Sequence, residues 1–241
     1  KLKKKFNFYI LEDACHALGA KYISKKNILP VGCAKHCDIS IFSTHPVKSI
    51  TTGEGGFVST NKFLLYKKMK LLRSHGIARH NLPIDYNILL NGFNYRLSDI
   101  NCALGFSQLK KIDQFINKRR LIFFQYIKNF RGGNSHISFL NSNNSNLSAC
   151  HLVVALINFK KLTINKKKFF QLLKYKKINC QFHYIPTYKF KIFNKKEKLH
   201  NSEVYFKNAI SLPIYYEISF KQVDFICNEI KKIIKKYSKI K

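Results

Sequence analysis

Two hydrophobic rhythms alternate along the chain. Short β-prone runs end abruptly in polar or charged residues. Residues 6–11 (Phe-Asn-Phe-Tyr-Ile-Leu) give way to Glu12-Asp13, and 38–42 (Asp-Ile-Ser-Ile-Phe) give way to Ser43-Thr44-His45. A third run, 57–60, follows the turn Gly53-Glu54-Gly55-Gly56. Buried strands that deliver polar side chains at their C-terminal ends predict a parallel α/β sheet with its ligand beyond that edge. Residues 14–37, punctuated by Gly19, Pro30 and Gly32, are expected to be irregular. The second rhythm is helical. Residues 62–74 are amphipathic, and Ser98 is a suitable N-cap for a long region in which Ile100, Ala103, Leu104, Leu109, Ile112 and Ile116 recur at helical spacing. The stripe continues through Leu121, Phe124 and Ile127 until Arg131-Gly132-Gly133-Asn134 breaks it, and Gly105 inside it predicts a kink or a close helix contact.

Residues 132–148, rich in Asn and Ser, predict a surface loop between a large domain at 1–131 and a small C-terminal α/β domain at 132–241. In the latter, 151–157 and 180–185 are expected strands and 166–176 a helix. Ser219 caps a last helix with the stripe Val223, Ile226, Cys227, Ile230, Ile233, Ile234 and Tyr237.

The formal net charge of +32 would attract nucleic acid or an anionic membrane. Arginine, the better group for phosphate and base-edge recognition, occurs only at Arg73, Arg79, Arg96, Arg119, Arg120 and Arg131. The accompanying wealth of Ile, Asn, Phe and Tyr, all with AT-rich codons, attributes the lysines to mutational drift. No specific nucleic-acid partner is expected. Seven scattered cysteines argue against a disulfide framework and for a reducing, cytoplasmic setting. Cys33, His36 and Cys37 lack a second ligand pair at zinc-finger spacing, so no metal is expected. No apolar run approaches the roughly 18 residues of a membrane span, and no membrane association is expected.

Asp13 and Lys48 stand at the ends of two predicted strands. A lysine there can form a Schiff base with an aldehyde cofactor, a carboxylate can keep a pyridine nitrogen protonated, and Ser43 offers a hydroxyl to a phosphate. The surrounding strings are more specific: Glu12-Asp13-Ala14-Cys15-His16-Ala17-Leu18-Gly19-Ala20, then Phe42-Ser43-Thr44-His45-Pro46-Val47-Lys48-Ser49-Ile50-Thr51-Thr52-Gly53-Glu54-Gly55-Gly56. Leu72-Arg73-Ser74-His75-Gly76-Ile77 and Gly92-Phe93-Asn94-Tyr95-Arg96-Leu97-Ser98-Asp99-Ile100-Asn101-Cys102-Ala103-Leu104-Gly105 follow in order, with weaker echoes at His151-Leu152, Phe182-His183-Tyr184-Ile185-Pro186 and Ser211-Leu212-Pro213. Together these strings resemble the DegT/DnrJ/EryC1/StrS family of sugar aminotransferases over nearly the whole chain.

The resemblance implies the aspartate aminotransferase-like α/β fold (fold type I) and pyridoxal 5'-phosphate as cofactor. It implies Lys48 as the catalytic lysine that carries the cofactor, and Asp13, His16, Ser43 and Asn94 as cofactor-binding residues, Asn94 reaching the phosphate of a neighbouring subunit in a homodimer. Arg96 and His183 match positions near a nucleotide-sugar, and glutamate is the implied amino donor. The His45–Lys48 string and the Arg73 block look most like the branch acting on a UDP-4-keto-6-deoxy-N-acetylhexosamine toward pseudaminic acid, a cell-surface sugar. A dehydratase is disfavoured, because the family's sugar dehydratases replace that lysine with histidine. Family members also carry, before the block at Glu12, a substantial segment with a small-residue phosphate loop and a ring-stacking aromatic. Only eleven residues precede Glu12 here, the chain opens at Lys1, and its only methionine is Met69. A fragment with unpaired sheet edges and exposed apolar faces is therefore expected, inactive or poorly stable alone. A non-catalytic family remnant and a basic nucleic-acid-binding protein are the rival readings.

Overall fold

A computed structural model describes residues 2–79, 84–132, 136–140, 147–193 and 199–239. The chain forms two compact units, Lys1–Ile116 with Leu147–Ala149, and Asn117–Asn146 with Cys150–Lys241.

In the first unit, helix α1 (Leu2–Phe6) precedes strand β1 (Leu11–Asp13). The strand expected over 6–11 therefore begins only at its last residue. Asn7 turns the chain at φ 46°, and the Ile10 N–H donates to the Asp38 carboxylate at 2.7 Å. The Ile10 carbonyl accepts from the amide of Asp38 at 2.8 Å, so the regular ladder starts one residue later. Strand β4 (Ile39–Ser43) lies parallel to β1, Leu11 opposite Ile39 and Asp13 opposite Ile41. Strand β5 (Gly56–Ser59) pairs antiparallel on the other side of β4.

The stretch expected to be irregular contains a hairpin, β2 (Lys21–Ser24) and β3 (Asn27–Pro30), turning on Lys25-Lys26 with Lys25 at φ 57°. Its apolar side chains Ile23 and Ile28 are exposed, so in the sequence the apolar positions do not mark the less exposed face of the hairpin. Helix α2 (Phe63–Arg73) and the short pair β6 (Ile77–Arg79) and β7 (Tyr86–Ile88) follow. The single long helical region is two helices, α3 (Asp99–Leu109) and α4 (Ile112–Phe130). Ser98 caps α3, its Oγ accepting from the Asn101 N–H at 3.3 Å. The N-terminal part of the expected core stripe faces solvent: Ile100 is 84% and Leu104 41% exposed. This unit's buried cluster is small, Ala20, Ile116 and Ala149 with Ala17, Val31 and Ile112 packed against it. Phe57, Val58, Phe63 and Leu64 stand exposed.

The second unit is better filled. Strands β8 (Ile137–Phe139), β9 (Val153–Ile157) and β10 (Ala209–Leu212) form an antiparallel sheet in the order β10–β9–β8. Strand β8 lies within the expected loop over 132–148, of which 133–135 and 141–146 fall outside the described residues. Residues 180–185 are not a strand. Beyond a single bridge from Gln181 to Ser211, the edge of β9 is taken by β10, whose four residues are all buried. Helices α5 (Lys166–Tyr175), α6 (His200–Asn208) and α7 (Phe220–Tyr237) complete the unit. The α7 stripe forms the core with Ile122, Phe123 and Tyr126 of α4, and Tyr126 Oη donates to the Pro213 carbonyl at 2.8 Å. Ser219 and Gln222 close a reciprocal capping box, a feature that stabilises a helix by about 1 kcal/mol. Among the described residues no helix is long and apolar enough to cross a membrane.

Asp38 is the buried anchor of the first unit, 2% exposed and paired with both Lys3 and Lys62. Those two ammonium groups, with the Ile10 amide, hold its carboxyl well below the usual carboxylate range. A carboxyl depressed in the folded state contributes stability that is complete above its unfolded value of about 4 and is lost as pH falls through the folded value. Asp38→Asn is accordingly expected to lower the unfolding midpoint at pH 7, with the gap to the parent chain narrowing in strong acid. Thermal melts at pH 7 and pH 2 check this, and equal midpoints at pH 7 would contradict it.

Candidate active site

The parallel pairing of β1 with β4 puts their C-terminal ends on one edge. Asp13 closes β1, and its Oδ1 accepts from the Cys15 N–H at 3.1 Å. The Cys15 thiol and that backbone bond hold the Asp13 carboxyl below its usual range against the opposing effect of burial, and the charges of His16 and Lys48 lower it further by lesser amounts. Asp13, His16 and Lys48 thus share one electrostatic neighbourhood. Cys15, between them, is pushed up chiefly by its hydrogen bond to Asp13, so its thiol is protonated and inert near neutral pH.

Ser43 ends β4, and its Oγ accepts from the His45 N–H at 3.3 Å. His45 shapes the turn that carries Lys48: its carbonyl accepts from the Lys48 N–H at 2.9 Å, and its Nε2 lies 3.6 Å from Glu54 Oε1. The turn belongs to a loop closed at its base. The Thr52 N–H donates to the Thr44 carbonyl at 3.0 Å, and the two buried hydroxyls lie 2.6 Å apart. The Thr44 N–H donates to the Gly55 carbonyl at 2.9 Å.

Helix α3 pins this closed loop from behind. Gln108 Oε1 accepts from the Thr51 N–H at 2.9 Å, and Asn101 Nδ2 donates to the Thr52 carbonyl. Gly105 permits the approach, since a Cβ there would lie 2.6 Å from Thr52 Cγ2. Gly105 is therefore a close contact and not a kink. Thr44, Thr52, Asn101 and Gln108 were not singled out from the sequence. Gly105 was the one signal of this contact, because a buried glycine inside a helical stripe marks close approach.

Asn94 and Arg96 lie on another segment of the same unit. Asn94 bridges to Ser74, the Tyr95 N–H donates to the Arg73 carbonyl at 2.9 Å, and the His75 N–H donates to the Phe93 carbonyl at 2.9 Å. Glycine is needed on both sides of this crossing. A Cβ at Gly92 would sit 2.2 Å from the Gly76 nitrogen, and Gly76 itself has φ +71° with a Cβ position 1.8 Å from the Leu90 carbonyl oxygen. Arg96 joins Arg73, Arg79, His75, Lys67 and Lys70 around a cavity of about 930 Å³. Three of the chain's six arginines line it. His183 belongs to the second unit, where its Nδ1 lies 2.8 Å from Ser211 Oγ and its carbonyl accepts from Tyr205 Oη at 2.8 Å.

The cysteine pair considered for a metal is dispersed. Cys33 contacts Tyr22, His36 contacts Ser24, and Cys37 contacts Ser40. Among the described residues no group of three or more His, Cys, Asp or Glu side chains could hold a metal ion.

Comparison with known proteins gives the family. The profile of the DegT/DnrJ/EryC1/StrS aminotransferase family matches residues 1–231. The chain is 41% identical over 241 residues to the UDP-4-amino-4,6-dideoxy-N-acetyl-beta-L-altrosamine transaminase of Campylobacter jejuni, covering 99% of this chain and 62% of that protein. It is 30% identical over 230 residues to the GDP-perosamine synthase of Escherichia coli O157:H7, covering 95% of this chain and 59% of that one. The structure of Helicobacter pylori PseC, an aminotransferase involved in the biosynthesis of pseudoaminic acid, superposes with a TM-score of 0.89 at 33% identity, over 98% of this chain and 62% of that one. The PLP-form of the putative sugar aminotransferase Spr1654 from Streptococcus pneumoniae superposes at 0.83 and 27% identity, over 98% and 60%. The chain thus spans 62% of the length of the Campylobacter jejuni and Helicobacter pylori relatives it matches and shares the mixed α/β fold of these pyridoxal-phosphate-dependent enzymes over that span. It belongs to the DegT/DnrJ/EryC1/StrS aminotransferase family.

Proposed function

We propose that this chain supplies the lysine and carboxylate of a pyridoxal-phosphate-dependent transamination that converts a nucleotide-linked keto-sugar, a UDP-4-keto-6-deoxy-N-acetylhexosamine, into an amino-sugar with glutamate as donor. The observation that carries this reading is the ionised Asp13 carboxylate at one strand end, within electrostatic reach of Lys48 on a loop anchored at the neighbouring strand end. The donor set fits the cofactor: an anion for its pyridine nitrogen, a primary amine for its aldehyde, and the Ser43 hydroxyl for its phosphate. Bound pyridoxal phosphate supplies a protonated ring that accepts the electrons released when a substrate Cα–H bond breaks.

Asp13, held ionised, would keep the pyridine nitrogen protonated, an electrostatic role that needs no movement. His16, in the same electrostatic neighbourhood, would line the cofactor site. Lys48 Nζ would hold the cofactor and would move the substrate's Cα proton as general base and then as general acid. The loop closure by Thr44, Thr52, Asn101 and Gln108 keeps Lys48 Nζ positioned through both half-reactions. Asn94, exposed on its ladder, is the residue offered to the cofactor phosphate of a second subunit in a homodimer. The Arg73, Arg79 and Arg96 cavity is suited to the diphosphate of the nucleotide-sugar, because guanidinium groups bind phosphate bidentately. His183 contributes to sugar recognition. The expected setting is the cytoplasm, and the expected product is a precursor of pseudaminic acid.

Sub-stoichiometric pyridoxal phosphate followed by borohydride is expected to leave its mass mainly on the peptide containing Lys48, and Lys48→Ala is expected to remove that label. Label scattered over many lysines and unchanged in Lys48→Ala would instead favour a family remnant without an organised site. For the arginine cavity, Arg96→Lys keeps the charge and removes the fork. UDP affinity measured calorimetrically is expected to fall roughly tenfold, by about 1.4 kcal/mol. Affinity equal to that of the parent would remove the diphosphate from this cavity.

A further inference from the structure

Helix α2 carries aromatic rings on a face that packs against no core. None of its residues is buried, and Phe63 and Tyr66, one turn apart, are 63% and 48% exposed. Their rings lie stacked, with centroids 6.3 Å apart and planes at 25°. The Lys67 ammonium stands 4.6 Å from the Phe63 centroid, and that of Lys70 stands 5.4 Å from the Tyr66 centroid. All four side chains line the cavity that holds Arg73, Arg79 and Arg96. Rings left this exposed gain little from burial, so the stability of α2 does not account for them.

The two ends of the cavity differ in chemistry. Phe63 and Tyr66 belong to the N-terminal half of α2, whereas Arg73 is its last residue and meets Arg79 of β6 and Arg96. Among the described residues no acidic side chain lines the cavity, so its guanidinium groups are not neutralised from within. Tyr66 and Arg73 are seven residues apart, which puts them on one side of the helix and about 10 Å apart along its axis. Lys67 and Lys70 stand between them along the helix. A bare phosphate would use the guanidinium groups and leave the rings idle, and an apolar ligand would do the reverse. A nucleoside diphosphate uses both, because its base and its phosphates lie at opposite ends of one extended molecule.

We propose that Tyr66, with Phe63 stacked against it, is the base-stacking residue of this cavity, which therefore takes a nucleoside diphosphate end to end. The inference rests on the placing of the diphosphate at Arg73, Arg79 and Arg96, and it adds the residue that recognises the base. Stacking uses the π-face that every base has and reads none of its hydrogen-bonding edge. The cavity accordingly separates a nucleotide from pyrophosphate more sharply than it separates one base from another. Selection among nucleotide-sugars then falls to groups that touch the sugar.

Calorimetric titration of the full chain with UDP, ADP and pyrophosphate tests this, using Tyr66→Ala and Tyr66→Phe. The parent is expected to bind UDP more tightly than pyrophosphate, and ADP at least as tightly as UDP, since a purine offers the larger face. Tyr66→Ala is expected to weaken UDP by about fivefold or more and to leave pyrophosphate unchanged, whereas Tyr66→Phe, which keeps the ring, matches the parent. UDP binding that is unaltered in Tyr66→Ala, or weakened equally with pyrophosphate, would overturn the assignment of the base to Tyr66. ADP binding ten times more weakly than UDP would overturn stacking as the mode of recognition. Pyrophosphate that ignores Arg96→Lys, or fails to bind the parent, would instead remove the diphosphate from the cavity and this inference with it.

Discussion

The first unit depends on one buried carboxylate. Asp38 sits at the start of β4 and binds in three directions: to Lys3 of α1, to the backbone N–H of Ile10 just before β1, and to Lys62 at the N-terminal end of α2. Its backbone carbonyl also accepts from Thr60 Oγ1 at 2.6 Å, immediately after β5. A strand pair has no intrinsic register, and a slip of one residue would turn every side chain to the opposite face. Asp38 ties the leading ends of β1 and β4, and the exit of β5, to one point. The opposite ends then emerge with Asp13 facing Ile41, so the candidate carboxylate and the lysine-bearing loop meet at one edge.

The charge imbalance becomes intelligible beside this anchor. The chain carries 12 acidic residues against 44 basic ones, and Asp13, Glu54, Asp85, Asp99, Asp113 and Glu217 are exposed. Others are engaged within the fold: Asp38 holds two lysines, Asp224 accepts from Gln125 and Asn129 at 2.6 and 2.7 Å, and buried Glu229 lies 2.7 Å from Lys232 and 3.7 Å from Lys176. Glu203 binds Tyr188 and Lys189, and Glu12 accepts from Ser40 at 2.6 Å. Lysine on an exposed face changes stability little, whereas loss of a buried anion strands its partners. A drift toward lysine can therefore proceed on the surface without disturbing these acids, and a net charge of +32 requires no polyanionic partner to explain it.

Legibility in the sequence followed the range of the interactions. Helix α7 could be read residue by residue, because its stripe and its cap lie within its own 18 residues. Helices α2 and α5 were legible for the same reason. Strand β10 was missed because Ala-Ile-Ser-Leu is too short to show a period, and it follows α6 without a glycine or proline to mark the change. Residues 180–185 carry a β-prone composition, yet β10 occupies the place they would have taken beside β9. Within the candidate site, Asp13 and Lys48 could be found from strand ends and motif. The clasp behind Lys48 could not, because Thr51 meets Gln108 and Thr52 meets Asn101 across about fifty residues of chain.

The family strings consequently contain residues of two physical kinds. Gly76, Gly92 and Gly105 stand where a backbone or another side chain comes closer than a Cβ allows, and their task ends with the crossing they permit. Asp13, Lys48, Asn94 and Arg96 present polar groups at the edges those crossings create. Asn94 and Arg96 are exposed, although the backbone that carries them is bonded on both sides to the Arg73–His75 segment. Rigid backbone beneath an exposed polar side chain is poor use of sequence for stability alone, since surface polar groups contribute little to it. In the proposed function this arrangement would present the two groups to a second subunit and to the nucleotide-sugar. Changes at the two kinds should therefore separate: a side chain forced into a crossing disturbs the fold and every group built upon it, whereas a change at an exposed group leaves the fold intact and removes one contact.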